Sequence, residues 1–197
     1  TEGDPLNLKI TFENDLKLLE PHLYDNNTKY VTKVGNGFDI HRFDLTKNKD
    51  KNFIKLGGIK IDNIRPLIGH SDGDVLLHAI TDSILGIINK GDIGELFPPS
   101  DDKWKDADSE LFLNYAMQKI QNAGAKIILL DVTIICEMPK IGPERQRMKN
   151  RLAEMCNLPM NRISIKATTS EKLGFTGRKE GLSAFATATI SLPLSQK

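Results

Sequence analysis

From Tyr30 onward the chain alternates between short strand-like runs and longer stretches of helical spacing, and their order limits what it can fold into. A first strand is expected from Tyr30 to about Phe43, where Gly35 and Gly37 mark a bulge or a close backbone approach. Residues 48–51 read as a hairpin-type connection into a second strand, Phe53 to Leu56, which ends at Gly57-Gly58. Residues 60–69, with Pro66 and Gly69, read as a loop. Ser71 then caps a helix, with Asp74 three positions on in a capping-box arrangement, and the helix should end near Asn89-Lys90-Gly91. A second helix is expected from Ser109 to Ala123, stopped by Gly124. A third runs from Pro143 to Asn157 with Met148, Leu152 and Met155 facing inward. Further strands are expected over Lys126–Glu137, Arg162–Ala167 and Gly181–Leu192. The first of these has the continuous apolar middle of a central strand, and the last alternates cleanly from Phe185 to Ile190. The order β-β-α-α-β-α-β-β predicts an α+β two-layer sandwich, ferredoxin-like, with helices on one face of a mainly four-stranded sheet. The other sheet face would need cover, and an oligomer supplies it.

A chain of 197 residues, 39% hydrophobic and 27% charged, suits one core-forming domain, here residues 30–197. Residues 1–29 are polar and weakly periodic; they read as an N-terminal extension, partly disordered or with one short helix, and His22 within it as a surface residue. A net charge of +1 points to neither nucleic acid nor an anionic membrane as partner. No apolar run approaches the roughly 20 residues that span a bilayer, so a soluble protein is expected. Cys136 and Cys156 form no CxxC pair and read as buried thiols in a reducing compartment. Thr1 in place of an initiator methionine suggests a processed or truncated chain.

Three of the four histidines fall in one stretch: His41, His70 and His78. Asp39 and His41 stand two apart on a strand, so their side chains share a face. His78, on the following helix, can add a third ligand, and three protein ligands with an open fourth position is how catalytic zinc is usually held. Each residue has a plainer reading: a polar pair at a strand end, and a satisfied core histidine. Asp74 and Asp82, one turn to either side of His78, are placed to hold its second ring nitrogen. His70-Ser71 at the helix start offers free N–H groups as an anion site, against the alternative of a simple cap. Thr168-Thr169-Ser170 with Glu171 suits phosphate oxygens and a hard divalent ion, or else is a Gly-rich surface turn. The long segment 91–108 is a candidate site loop.

Several ordered blocks resemble the 2-C-methyl-D-erythritol 2,4-cyclodiphosphate synthase family. They are Gly37-Phe38-Asp39-Ile40-His41, His70-Ser71-Asp72-Gly73-Asp74-Val75 with His78, Gly91-Asp92-Ile93-Gly94 with Leu96-Phe97-Pro98, Asp131 to Ile135, Pro139-Lys140, and Lys166 to Arg178. The resemblance implies a homotrimer with active sites between subunits. It implies zinc on Asp39, His41 and His78, and a second divalent cation, magnesium or manganese, on Glu171. His70 and Thr169 match positions that stabilise the transition state. Ser71, Asp92, Ile93, Gly94, Phe97, Pro98, Ser100 and Asp101 match substrate-binding positions around the methylerythritol loop. Cys136, Glu137, Met138, Pro139, Lys140, Thr168 and Ser170 match a cytidine and phosphate pocket supplied by the neighbouring subunit. Phe175, Arg178 and Glu180 match positions at the trimer axis, where family members can hold an isoprenoid diphosphate; Phe175 and Arg178 also count among the substrate contacts. Pro99 departs from the family pattern, which usually has Asp there, and puts one substrate-hydroxyl contact in doubt.

The implied reaction belongs to the methylerythritol phosphate route of isoprenoid biosynthesis. The 2-phosphate of 4-diphosphocytidyl-2-C-methyl-D-erythritol 2-phosphate attacks its own β-phosphorus and releases CMP. Two other readings are a zinc-dependent nucleotide-diphosphate hydrolase and a non-catalytic trimer that binds isoprenoid diphosphates. The extension 1–29 has no bacterial-type counterpart in this reading and fits targeting to a plastid-type organelle; otherwise the protein is cytoplasmic.

Overall fold

The computed structural model describes residues 29–46 and 52–194. Residues 1–28 of the expected extension 1–29, and the connection 48–51, lie outside the described residues. Strand β1 (Tyr30–Phe43) is followed by β2 (Phe53–Leu56), β3 (Ile59–Asp62) and β4 (Leu67–Ile68). Helices α1 (Val75–Ile87), α2 (Ile93–Leu96) and α3 (Ser109–Asn122) come next, then β5 (Lys126–Ile135), α4 (Ile141–Met155), β6 (Ile163–Thr168), α5 (Gly174–Gly177) and β7 (Gly181–Pro193).

The main sheet has the strand order β4-β1-β7-β5-β6, four long strands plus the two-residue β4 at one edge. β7 runs antiparallel to both β1 and β5, and β5 pairs with β6 in parallel, so the pairing is mixed. The β1–β2 hairpin read from the sequence does not form: β2 pairs with β3 in a separate ribbon. Its turn is Gly57-Gly58, with φ of +63° and +74°. Two consecutive positive φ values are what a tight two-residue hairpin demands, and glycine supplies them without steric cost. The presumed loop 60–69 therefore holds most of β3 and all of β4.

Helix α1 is buried on nearly every side, and a helix of that kind belongs in a core. Leu76, Leu77, Ile80, Ile84 and Leu85 are wholly buried, with α1 packed between the sheet and helix α3. The sheet makes room through small residues. A Cβ on Gly35 or Gly37 would fall inside contact distance of the Ser83 or Ala79 carbonyl, so α1 lies directly on the β1 backbone. The β1–β7 register is unbroken through both glycines, so they mark close approach and no bulge.

The helix cap is not the one expected. Helix α1 begins at Val75, and Asp74 is its cap, accepting from the N–H groups of Leu76 and Leu77 at 3.2 and 3.0 Å. Asp74 also accepts from Gly57 and Gly58 of the ribbon turn at 2.9 and 2.7 Å. This buried carboxylate takes up the Leu76 and Leu77 N–H groups at the helix N-terminus, and Ser71 lies before the helix and not at its first turn.

Candidate active site and its metal centre

Strand alternation sends the odd-numbered side chains of β1 toward α1, and glycines 35 and 37 bring α1 close enough for His78 to reach the same edge. Asp39 Oδ2 lies 2.8 Å from His78 Nδ1 and 3.0 Å from His41 Nε2, and the two ring nitrogens are 3.1 Å apart. Four-coordinate zinc with bonds of about 2.0–2.1 Å places its ligand atoms roughly 3.3 Å from one another. Two imidazoles and a carboxylate in a half-buried triangle of this size could hold such an ion.

Burial by itself would raise the Asp39 carboxyl, but the hydrogen bonds and charge of His41 and His78 override it and hold the group well below the usual carboxylate range. For His41, burial opposes the charged form, yet Asp39 and the Ile68 carbonyl raise it above its ordinary 6.5. The His41 Nδ1–H donates to the Ile68 carbonyl at 2.9 Å, which leaves Nε2 as the metal-facing atom. Orienting that imidazole is what β4 contributes to the site.

The second ring nitrogen of His78 is not held by Asp74 or Asp82. His78 Nε2 faces the hydroxyls of Ser109 at 2.8 Å and Ser71 at 3.1 Å. Asp74 is spent on the cap and the ribbon, and Asp82 accepts from the Ile93 N–H at 3.0 Å, tying α1 to the start of the 91–108 segment. Burial raises the Asp82 carboxyl, with Asp92 and Asp39 adding to it. Ser109 escaped the sequence reading because Asp108-Ser109 looks only like a helix start; Asp108 does cap α3.

Within the segment, Asp92 caps α2 through the Glu95 N–H and Asp101 accepts from Lys103. Phe97 packs on Phe112 at 4.6 Å and edge-on against Trp104 at 4.9 Å, and this aromatic cluster fixes the segment above His78. Pro98 is half-buried, while Ile93, Gly94, Pro99 and Ser100 line the same stretch. His70 Nε2 is enclosed without a hydrogen-bond partner, and the His70 carbonyl accepts from Asp106.

The remaining candidates gather at the ends of β5 and β6. Cys136, Pro139, Lys140, Thr168 and Thr169 line a cavity of about 190 Å³, joined by Arg145, which the sequence reading did not single out. Burial pushes the Cys136 thiol up to about 11, so it lines the cavity as an inert neutral group. Glu137 Oε1 accepts weakly from Lys172 N–H at 3.4 Å, and Met138 is half-buried beside the core. Thr169 donates its hydroxyl to Glu171 Oε1 at 2.8 Å, and Ser170 donates to the Leu173 carbonyl at 2.7 Å. Glu171 and Lys172 both adopt positive φ, which presents the Glu171 carboxylate outward. Arg178 and Glu180 form an exposed two-point ion pair at 2.8 and 3.0 Å, with Phe175 one turn away. The register places Asp39 level with Ala184, Ile134 and Ala167 on successive strands. Triangle and cavity are thus three strand steps apart, roughly 14 Å at the usual spacing.

Fold and site together define a two-layer α+β domain with an Asp-His-His group on its sheet that could hold a metal ion. Residues 32–191 match the YgbB family, and the chain belongs to that family. A bifunctional IspD/IspF enzyme of Caulobacter vibrioides is 48% identical over 193 residues, covering 98% of this chain and 48% of its own. The IspF–CDP complex of Plasmodium falciparum is 34% identical with a TM-score of 0.71, covering 83% of this chain and 97% of that one. A 2C-methyl-D-erythritol 2,4-cyclodiphosphate synthase of known structure is 33% identical with a TM-score of 0.71, covering 80% and 99%. The chain spans about half the length of the curated bifunctional relatives it matches. The Caulobacter alignment takes in nearly all of residues 1–29, so that segment has a bacterial counterpart after all, and the argument from it to a plastid falls.

Proposed function

We propose that this domain is a cyclising phosphorus–oxygen lyase that converts 4-diphosphocytidyl-2-C-methyl-D-erythritol 2-phosphate into 2-C-methyl-D-erythritol 2,4-cyclodiphosphate and CMP. The supporting observation is the Asp39–His41–His78 triangle in a fold that a synthase of this name matches over 99% of its length. The substrate carries its own nucleophile: a 2-phosphate oxygen bonds to the β-phosphorus, the bond from that phosphorus to the α-phosphate oxygen breaks, and CMP departs with the electron pair. The protein's share is therefore positioning and charge stabilisation.

Zinc on Asp39, His41 and His78, and magnesium or manganese on Glu171, would supply electrophilic stabilisation of the phosphate oxygens. A lone outward carboxylate suits the second ion, since magnesium is commonly held by one or two carboxylates plus substrate phosphates. The enclosed, unpartnered Nε2 of His70 suits an anionic oxygen, and the Thr169 hydroxyl sits beside Glu171 for the same purpose. Asp92 to Asp101 shape the wall that folds the methylerythritol chain back on itself. The cavity at Lys140 and Thr168 takes the cytidine end, in keeping with the CDP complex of the Plasmodium protein.

Assembly follows from the open face of the sheet. Val34, Phe38, Ile40 and Phe185 are exposed there, and we assign that face to a homotrimer whose subunits share each active site, with Arg178–Glu180 near its axis as a site for an isoprenoid diphosphate. The bacterial relatives favour the cytoplasm as its location. No helix among the described residues is long and apolar enough to cross a membrane.

Incubation with the cytidyl substrate, zinc and magnesium, followed by phosphorus NMR, tests the reading. Cyclic diphosphate and CMP are expected. Open-chain phosphates would instead indicate the hydrolase, and binding without turnover the non-catalytic trimer.

A further inference from the structure

Ser109, the first residue of α3, is completely buried, and its hydroxyl stands between two groups that cannot both receive its single proton. On one side is Asp72 Oδ1, in a short contact, and on the other His78 Nε2 at 2.8 Å. A carboxylate can only accept, so the Ser109 proton goes to Asp72 and the Ser109 oxygen is left to accept from His78. The Asp72 carboxylate in turn faces Lys55, whose Nζ lies 3.1 Å from Asp72 Oδ2 and 2.5 Å from Asp108 Oδ2. Burial would lower Lys55, but these two carboxylates override it and keep it cationic.

We propose that Ser109 is a positioning residue for the metal centre: the relay Lys55–Asp72–Ser109 fixes a proton on His78 Nε2 and so presents His78 Nδ1 bare toward Asp39 and His41. The counterpart for His41 is the Ile68 carbonyl at its Nδ1; the two histidines are locked in opposite tautomers by different elements. The β2–β3 ribbon thereby acquires a purpose. It packs outside the main sheet and delivers Lys55 to Asp72 as well as the Gly57 and Gly58 N–H groups to Asp74, on the two sides of the turn that launches α1. Ser71 makes the longer contact with the same nitrogen, but with no carboxylate among the described residues directing its proton it can donate or accept there, and so it does not fix the tautomer.

The inference rests on the Asp39–His41–His78 metal centre proposed above, and the test separates the two. Zinc affinity is measured by competition with a chromophoric chelator, and the visible spectrum of the cobalt-loaded protein reports ligand geometry. Ser109→Ala is expected to weaken zinc binding about 10–100-fold, the usual effect of losing a group that orients a ligating histidine, and to change the cobalt spectrum. Asp72→Asn touches no ligand but offers an amide N–H to Ser109, which turns the serine proton toward His78. It should shift affinity and spectrum in the same direction, and it decides the matter if Ser109→Ala does not fold. Wild-type affinity and spectrum in a folded Asp72→Asn or Ser109→Ala protein would overturn the relay alone. Failure of the wild-type protein to bind zinc or cobalt would overturn the metal centre and the relay with it.

Discussion

The Asp39 carboxylate and the two imidazoles it touches set the electrostatics of the site, and their titration gives the protein a pH signature even without metal. Asp39 is depressed below its ordinary 3.8, so its contribution to stability is present above that value and lost as pH falls through the folded one. His41 is raised above its ordinary 6.5, so its contribution is complete below 6.5 and lost as pH rises through the folded value. The pair therefore stabilises the metal-free fold most between about pH 3.8 and 6.5. Thermal melts of wild type and Asp39→Asn, both stripped of metal, should differ most in that window, and the difference should shrink as pH rises through the folded His41 value. His41→Ala removes a ligand itself. It is expected to weaken zinc binding by more than the roughly 10–100-fold cost of losing a supporting group, and to abolish turnover in a protein that still folds. Turnover at the wild-type rate in that variant, shown to be zinc-free, would remove the assignment. That Asp39 and His41 would meet was legible because strand alternation alone puts them on one face. Their supports were not: Ser109 meets His78 across 31 residues of sequence, and no local pattern encodes such a contact.

Elements meet here at two tight places, and only one could be read in advance. Gly35 and Gly37 announced either a bulge or a close approach, and the second holds, since α1 lies against them. The Gly57-Gly58 turn carries an equally plain hairpin signature, yet the polar run before β2 drew the turn assignment to itself. Distance between β1 and α1 controls whether Asp39 and His78 meet, which makes glycine substitutions informative. Gly37→Ala drives a methyl into the Ala79 carbonyl and should cost about 1–3 kcal/mol in denaturant unfolding, with a fall in zinc affinity as His78 moves away. Gly86→Ala in α1 has open space around its Cβ and should instead gain up to about 1 kcal/mol from helix propensity. Asp74→Ala removes the α1 cap and leaves the buried Gly57 N–H without its acceptor. From the usual costs of a lost cap and of a buried unsatisfied group, it should lose about 2–4 kcal/mol by the same measurement. Equal stability of the Gly37 and Gly86 variants would contradict the packing described for α1.

At the scale of the whole molecule, the middle of β7 inverts the ordinary division between large and small residues. Ala184, Ala186 and Ala188 of β7 face the helices and are fully buried, whereas Phe185 points the other way and is 41% exposed. Alternation from Phe185 to Ile190 was visible in the sequence, but which face was the core was not, because only the near contact of α1 requires alanine beneath it. Phe38 of β1 stands directly opposite Phe185 in the register and is 53% exposed, with Val34 and Ile40 on the same face. An apolar surface of this kind on a sheet calls for cover, and the roughly 14 Å between the metal triangle and the Lys140 cavity means that copies of the chain can bring complementary halves together. Phe38→Asp tests this without touching the centre, because Phe38 and Asp39 are neighbours whose side chains project to opposite faces. Burying an unpaired carboxylate in an interface costs several kcal/mol, enough to weaken association by about a hundredfold or more. Sedimentation should therefore show monomers in place of trimers at micromolar concentration. Zinc affinity should stay at the wild-type level, since all three ligands come from one chain. Turnover should fall with the trimer fraction and recover as protein concentration is raised; a monomer with full activity would show that one subunit holds the entire site.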